Sequence, residues 1–170
     1  VCGHGVHRGA SYWNKSGDAA WHIRSYQTGQ TGVFEDQLRT GIEIASLDDE
    51  TMLVTSGGPT QASAFQRSEA QSYLELAQAR GFWGAYDVAL RSAADDASVC
   101  SFTNLLFSIL RFSECTGGRY PDHISLVTWC EKSARLDHHR ESIKWPKERY
   151  SFVGVGSFSD RPDAVRSEHE

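Results

Sequence analysis

The sequence predicts an α/β fold: a mainly parallel sheet of about five strands with helices on both faces, in one domain. Three observations lead there. Short apolar runs alternate along the chain with segments of helical period. The strand-to-helix junctions are rich in glycine and serine, as crossover connections are. The 170 residues suffice for one full-sized core, and no linker, repeat or low-complexity segment divides them.

Val1-Cys2-Gly3 reads as the end of a first strand, so a few residues are expected to precede it. From Phe34 to Leu47, Phe34, Leu38, Ile42 and Ala45 recur at helical spacing. Residues 51–56 form a short buried strand, followed by Gly57-Gly58-Pro59-Thr60. Ser68 opens the second helix as a capping box with Gln71, and Gly81 ends it. Tyr86 to Leu90 alternates like a strand. Ser101 starts a third helix with a broad apolar side of Phe102, Leu105, Leu106, Ile109, Leu110 and Phe112, closed by Gly117-Gly118. Ile124 to Cys130 is the clearest strand, β-branched and apolar. Residues 133–145 form a charged helix stopped by Pro146, and Tyr150 to Val155 a last strand. The domain is read as residues 1–156, with 157–170 a loose polar tail.

Composition narrows the function. A content of 39% hydrophobic and 23% charged residues is that of a soluble globular protein. The net charge of −5 provides no basic field to hold phosphates, which argues against a nucleic-acid partner. No apolar run approaches the roughly 18 residues needed to span a bilayer, and no secretory leader pattern opens the chain. Cys2, Cys100, Cys115 and Cys130 form no C-x-x-C pair or zinc spacing. They read as reduced thiols of a cytoplasmic protein. No metal is expected: His4 and His7 lack a supporting carboxylate pattern, and His138 and His139, adjacent on a helix, point apart.

In a parallel sheet, ligands bind at the carboxyl ends of the strands. Four junctions fall on that edge: Cys2-Gly3-His4-Gly5, Ser56 to Thr60 leading to Ser68-Glu69, Asp95-Asp96 through Ser98, Ser101 and Asn104, and Glu131-Lys132-Ser133 with Arg135. Glycine lets backbone amides approach a ligand, and helix starts favour anionic groups. One junction alone is a plain turn; four together favour a binding site. Glu69, in the first turn of its helix, reads either as a dipole-compensating charge or as a carboxylate aimed into a cleft as acceptor or base. Lys132 and Arg135 are suited to an anionic group. The long connection 6–33, with Trp13, Trp21, His22, Tyr26 and Gln27, is either a lid over the cleft or packing against the sheet edge. Neither Walker A, G-x-G-x-x-G nor G-x-S-x-G occurs.

The order SGGPT, SEAQSY, SFTNLLFSILRF-x-E-x-TGGRYP, ISLVTW and a basic helix resembles the YdcF-like domain of the SanA/ElyC/YdcF group, in its fungal, cytosolic branch, from Gly3 to Gly156. The resemblance implies a Rossmann-like three-layer sandwich. A bacterial member of the group is associated with S-adenosylmethionine, which makes that the one cofactor to consider. The matching positions are Gly3 and Gly5, Ser56, Gly57 and Gly58, Ser68 and Glu69, Asn104, and Lys132 with Arg135. Cys100 and Thr103 stand where the family pattern has polar or acidic residues.

The leading expectation is a lyase, isomerase or cyclase acting on a small organic molecule, with Glu69, Lys132 and His4 catalytic. Asn104 and the Gly57-Gly58 amides would hold oxygens, and Gly3, Gly5, Ser56, Thr60, Ser68, Arg135 and Trp21 would complete the ligand contacts. The alternatives are a module binding S-adenosylmethionine or another nucleoside, and an interaction protein with a vestigial cleft. A homodimer is left open.

Overall fold

In a computed structural model of the chain, described over residues 1–157, helices and short strands alternate. The elements are β1 (Val6–His7), β2 (Trp21–His22), α1 (Thr31–Ser46), β3 (Leu53–Ser56), α2 (Glu69–Ala79), β4 (Ser92–Asp95), α3 (Ser101–Cys115), β5 (Ile124–Thr128), α4 (Ser133–Ser142) and β6 (Tyr150–Gly154). The polar tail beyond Ser157 lies outside the described residues.

Strand β3 pairs in parallel with β4, Leu53 opposite Ser92 and Ser56 opposite Asp95. β5 pairs in parallel with β6, Ile124 opposite Tyr150. β1 and β2 form a separate antiparallel pair. A single five-strand ladder is therefore not what the regular pairing defines. The chain start lies between the two parallel pairs. Cys2 makes an isolated parallel bridge to Ser56 and donates from its amide to Val127 O at 3.2 Å, while the Gly3 amide donates to Ser56 O at 2.7 Å. The chain leaves this ladder after one rung and bends at Gly5.

The apolar side chains form two groups. Phe34, Leu38, Ile42 and Ala45 of α1 are all fully buried, with Tyr73, Leu76 and Ala77 of α2, against Leu53, Trp129 and Trp21. Their spacing gives α1 one apolar stripe. Leu105 and Ile109 of α3 and Leu136 of α4 pack with Cys2 and Leu126 in the second group. Only Leu105 and Ile109 of the broad apolar side expected for α3 are buried, and Leu110 is exposed. No helix among the described residues is long and apolar enough to cross a membrane.

Two local expectations are corrected. Tyr86–Arg91 is a 3₁₀ segment, and the strand is the next four residues, Ser92–Asp95. Val88 alone of Tyr86, Val88 and Leu90 is buried, so their alternation did not mark a sheet face. Ser-Ala-Ala-Asp has no β-branched or aromatic residue, yet its small side chains fit beneath α2 and α3, which both contact β4. The Ser68 cap is one-sided: its hydroxyl accepts from the Gln71 amide at 2.9 Å, whereas the Gln71 side chain turns to Glu75 at 3.4 Å.

Trp21 belongs to the core. It is 1% exposed, with ring centroids of His7, Phe34 and Tyr73 at 5.1, 5.4 and 5.5 Å in edge-on arrangements. Trp21→Ala should lower the unfolding free energy by about 3–5 kcal/mol, read from urea denaturation; a loss below about 1 kcal/mol would contradict this placement.

Candidate functional site

The carboxyl ends of β3 and β5, the bend after Cys2 and the starts of α2, α3 and α4 surround one cleft of about 460 Å³. Of the residues picked from the sequence, Gly3, His4, Gly57, Thr60, Glu69, Asn104, Lys132 and Arg135 line it. Gly5, Ser56, Gly58, Ser68 and Trp21 do not.

Glu69 sits at the base. It is buried, at 6% exposure, and accepts a hydrogen bond from the Thr60 hydroxyl at Oε1. Burial pushes its carboxyl above the ordinary value of 4.5, against the opposing pull of the Thr60 hydroxyl and the charges of Lys132 and Arg24. His4 approaches Thr128 Oγ1 through Nε2 at 3.1 Å and packs beside Phe34 and Trp129. Burial, helped by the Lys132 charge, holds it well below 6.5, so the ring is neutral at physiological pH. Lys132, 7% exposed, stands at the entry to α4.

Gly57 and Gly3 make room for Glu69, and Gly58 for the loop after β4. A Cβ on Gly57, whose φ is +152°, would come within 2.7 Å of Glu69 Oε2, and one on Gly3 within 2.6 Å of Glu69 Cβ. A Cβ on Gly58 would meet Ser98 O at 2.8 Å. The two amides expected to face a ligand are already used: Gly57 N donates to Asp95 O at 3.0 Å and Gly58 N to Ser98 O at 2.6 Å. Their carbonyls accept from Ala70 N and Glu69 N, which seats α2 on the turn. Gly5 is small because Ile23, His22 and Phe34 crowd it at 3.1–3.3 Å.

The remaining absentees hold the frame. Ser56 Oγ is 2.7 Å from Asp95 Oδ2 and 3.0 Å from Asn104 Oδ1, so it fixes the Asn104 side chain at the cleft wall. The Ser68 hydroxyl donates to Asp96 while accepting from Gln71 N. These are supports for the site.

The long first connection splits its roles. Trp21 is core, whereas Arg24, Tyr26 and Gln27 line the cleft, and the Gln27 amide donates to His4 O. Cys100, at the entry to α3, joins them. Burial opposes ionisation of its thiol, but hydrogen bonds from the Thr103 hydroxyl and the Thr103 and Phe102 amides bring it below its ordinary value. Phe102 and His139 meet edge-on at 5.6 Å on the same wall. In the sequence Phe102 reads as helix core; only its place in the first turn of α3 hints otherwise. Nothing marks Arg24. A larger groove, of about 780 Å³, lies at the opposite ends of the strands, by Met52, Ser92 and Ile124, away from Glu69 and His4. Among the described residues no three or more His, Cys, Asp or Glu side chains are grouped to hold a metal ion.

Comparison with protein-family models, with curated proteins and with solved structures finds no match to this chain.

The raised carboxyl gives a signed expectation. The native state holds the Glu69 proton more tightly than the unfolded chain. That contribution is full below 4.5 and is lost as pH rises through the native value. The stability of Glu69→Gln relative to the parent, from urea unfolding between about pH 4 and pH 7, should therefore increase with pH. A difference that is flat or falls with pH would contradict the buried carboxyl.

Proposed function

We propose that the chain is a small-molecule enzyme of the lyase, isomerase or cyclase type, with Glu69 as its proton-transfer group. One observation carries the reading: a buried carboxyl, held by Thr60 and raised by desolvation, opens onto a cleft shared with His4 and Lys132. A carboxyl raised above its ordinary range is matched to removing a proton from a carbon acid and returning it at another position. That exchange needs no oxidant or co-reactant. Lys132 places positive charge where an enolate or carboxylate oxygen would develop, and neutral His4 supplies a second site for the proton. Asn104, fixed by Ser56, is the neutral hydrogen-bonding group for orientation.

The fold reading behind this is a Rossmann-like YdcF-type domain. Counting the chain start as a strand, the hydrogen bonds of Cys2 and Gly3 support the order β4, β3, chain start, β5, β6, with α1 and α2 on one face and α3 and α4 on the other. The cleft then falls where the strand order reverses. The free thiols Cys100, Cys115 and Cys130, all exposed, suit a cytoplasmic, reducing compartment.

The test is to incubate the purified protein with a small-molecule extract and follow by mass spectrometry which species are consumed and formed. The expected result is a substrate–product pair of equal mass, or one differing by a small eliminated molecule, with conversion reduced at least about 100-fold in Glu69→Gln. An equally active variant would remove Glu69 from the reaction, and an extract left unchanged by the parent protein would count against an enzyme.

A further inference from the structure

One polar side chain of the cleft is buried with nothing to bond. Gln61, next to Thr60 in the connection from β3 to α2, is 8% exposed and lines the cleft. Among the described residues no group hydrogen-bonds its carboxamide. Neither carboxamide atom is sealed inside the protein, so the little surface that Gln61 keeps is turned to the cleft. Native folds pair such groups, and an unpaired one costs stability unless a ligand or water completes it. Two neighbours are half used. Asn104 has one end of its carboxamide on Ser56 Oγ, at 3.0 Å, and the other without a partner among the described residues. Glu69 accepts from Thr60 at Oε1, and no donor among the described residues meets its Oε2. All three line the same cavity. Around them the wall has flat faces: Phe102 and His139, in edge-on contact, and Tyr26 from the first connection.

We propose that Gln61 sets the specificity of the cleft, and that the ligand it takes is a neutral, flat ring carrying a –CO–NH– edge, of the lactam, imide or ureide class. A carboxamide presents an acceptor and a donor side by side at fixed angles. Its complement is a donor and an acceptor side by side, as on the edge of a cyclic amide. A carboxylate, ketone or ester has no donor and leaves the Gln61 oxygen unpaired. The aromatic faces suit a flat body beside that edge. This deepens the reading of the cleft as an enzyme site, on which it rests, by naming the substrate class. The C–H bonds beside the carbonyl of such a ring are the acidic ones. The proton passes to the ionised Glu69, the electron pair moves onto the carbonyl oxygen, and the Gln61 N–H holds that oxygen. Return of the proton to another atom of the same conjugated system completes an isomerisation with no further reactant.

The experiment uses three bicyclic probes of one shape. 2-Quinolinone has the –CO–NH– edge, coumarin has oxygen in place of the N–H, and 1-methyl-2-quinolinone has the N–H blocked. Calorimetry should give 2-quinolinone an affinity at least about tenfold above the other two. Gln61→Leu should bring the three within about twofold of one another. The same variant separates recognition from architecture. A carboxamide without a partner in the protein gives the fold no bond to lose, so the urea midpoint of Gln61→Leu should equal or exceed the parent's. Location is read at the exposed thiols. 2-Quinolinone should slow iodoacetamide alkylation of Cys100, in the cleft wall, and leave Cys115, by the distant groove, unchanged. Equal affinity of the parent for 2-quinolinone and coumarin, a preference that survives Gln61→Leu, a lowered midpoint, equal protection of the two thiols, or no binding of any probe would each overturn the proposal. The two readings fail separately. An amide preference that Gln61→Leu abolishes, in a protein that leaves an extract unchanged, removes only the enzyme. Conversion of a substrate that has no amide group, at the same rate in Gln61→Leu, removes only the amide.

Discussion

The packing of the Glu69 side chain against the backbone of Gly3 and Gly57 is the constraint on which the rest of the site depends. Two glycines from different segments leave the volume that one carboxyl fills, and neither admits a methyl group without displacing it. The same turn is tied on every side. Its amides go to the last residue of β4 and the loop after it, its carbonyls receive the first amides of α2, and Gly3 hydrogen-bonds to Ser56 beside it. The ends of β3 and β4, the chain start and the entry to α2 are thus fixed relative to one carboxyl. A shift in any of them moves the group that faces the cleft.

A carboxyl so enclosed weakens the fold in its charged form, because the nearby Thr60 hydroxyl and the charges of Lys132 and Arg24 do not fully offset the lost hydration. A glutamine would satisfy Thr60 equally well, since an amide oxygen also accepts a hydrogen bond. The structural work of the position therefore needs no ionisable group, whereas proton exchange does. That asymmetry favours chemistry over architecture as the reason for an acid here. The neighbouring polar groups behave differently: Ser56 and Ser98 both bond to Asp95, Ser68 bonds to Asp96, and together they hold the wall still.

How much of this was legible in the sequence depended on whether a feature is local. The stripe Phe34, Leu38, Ile42, Ala45 and the Ser68 cap are properties of single helices, and both are seen. So is the strand from Ile124, whose β-branched run needs no partner to be recognised. β4 was missed because Ser-Ala-Ala-Asp is a strand only through what packs on it. The convergence of Gly3, Glu69, Asn104 and Lys132 was readable from the rule that strand ends share an edge. The role of the glycines was not: close backbone approach looks the same in sequence whether the guest is a ligand or a glutamate far along the chain. Arg24 and Trp21 show the same limit within one loop. Three residues apart, one lines the cleft and the other fills the core, and only the tertiary course of that loop separates them.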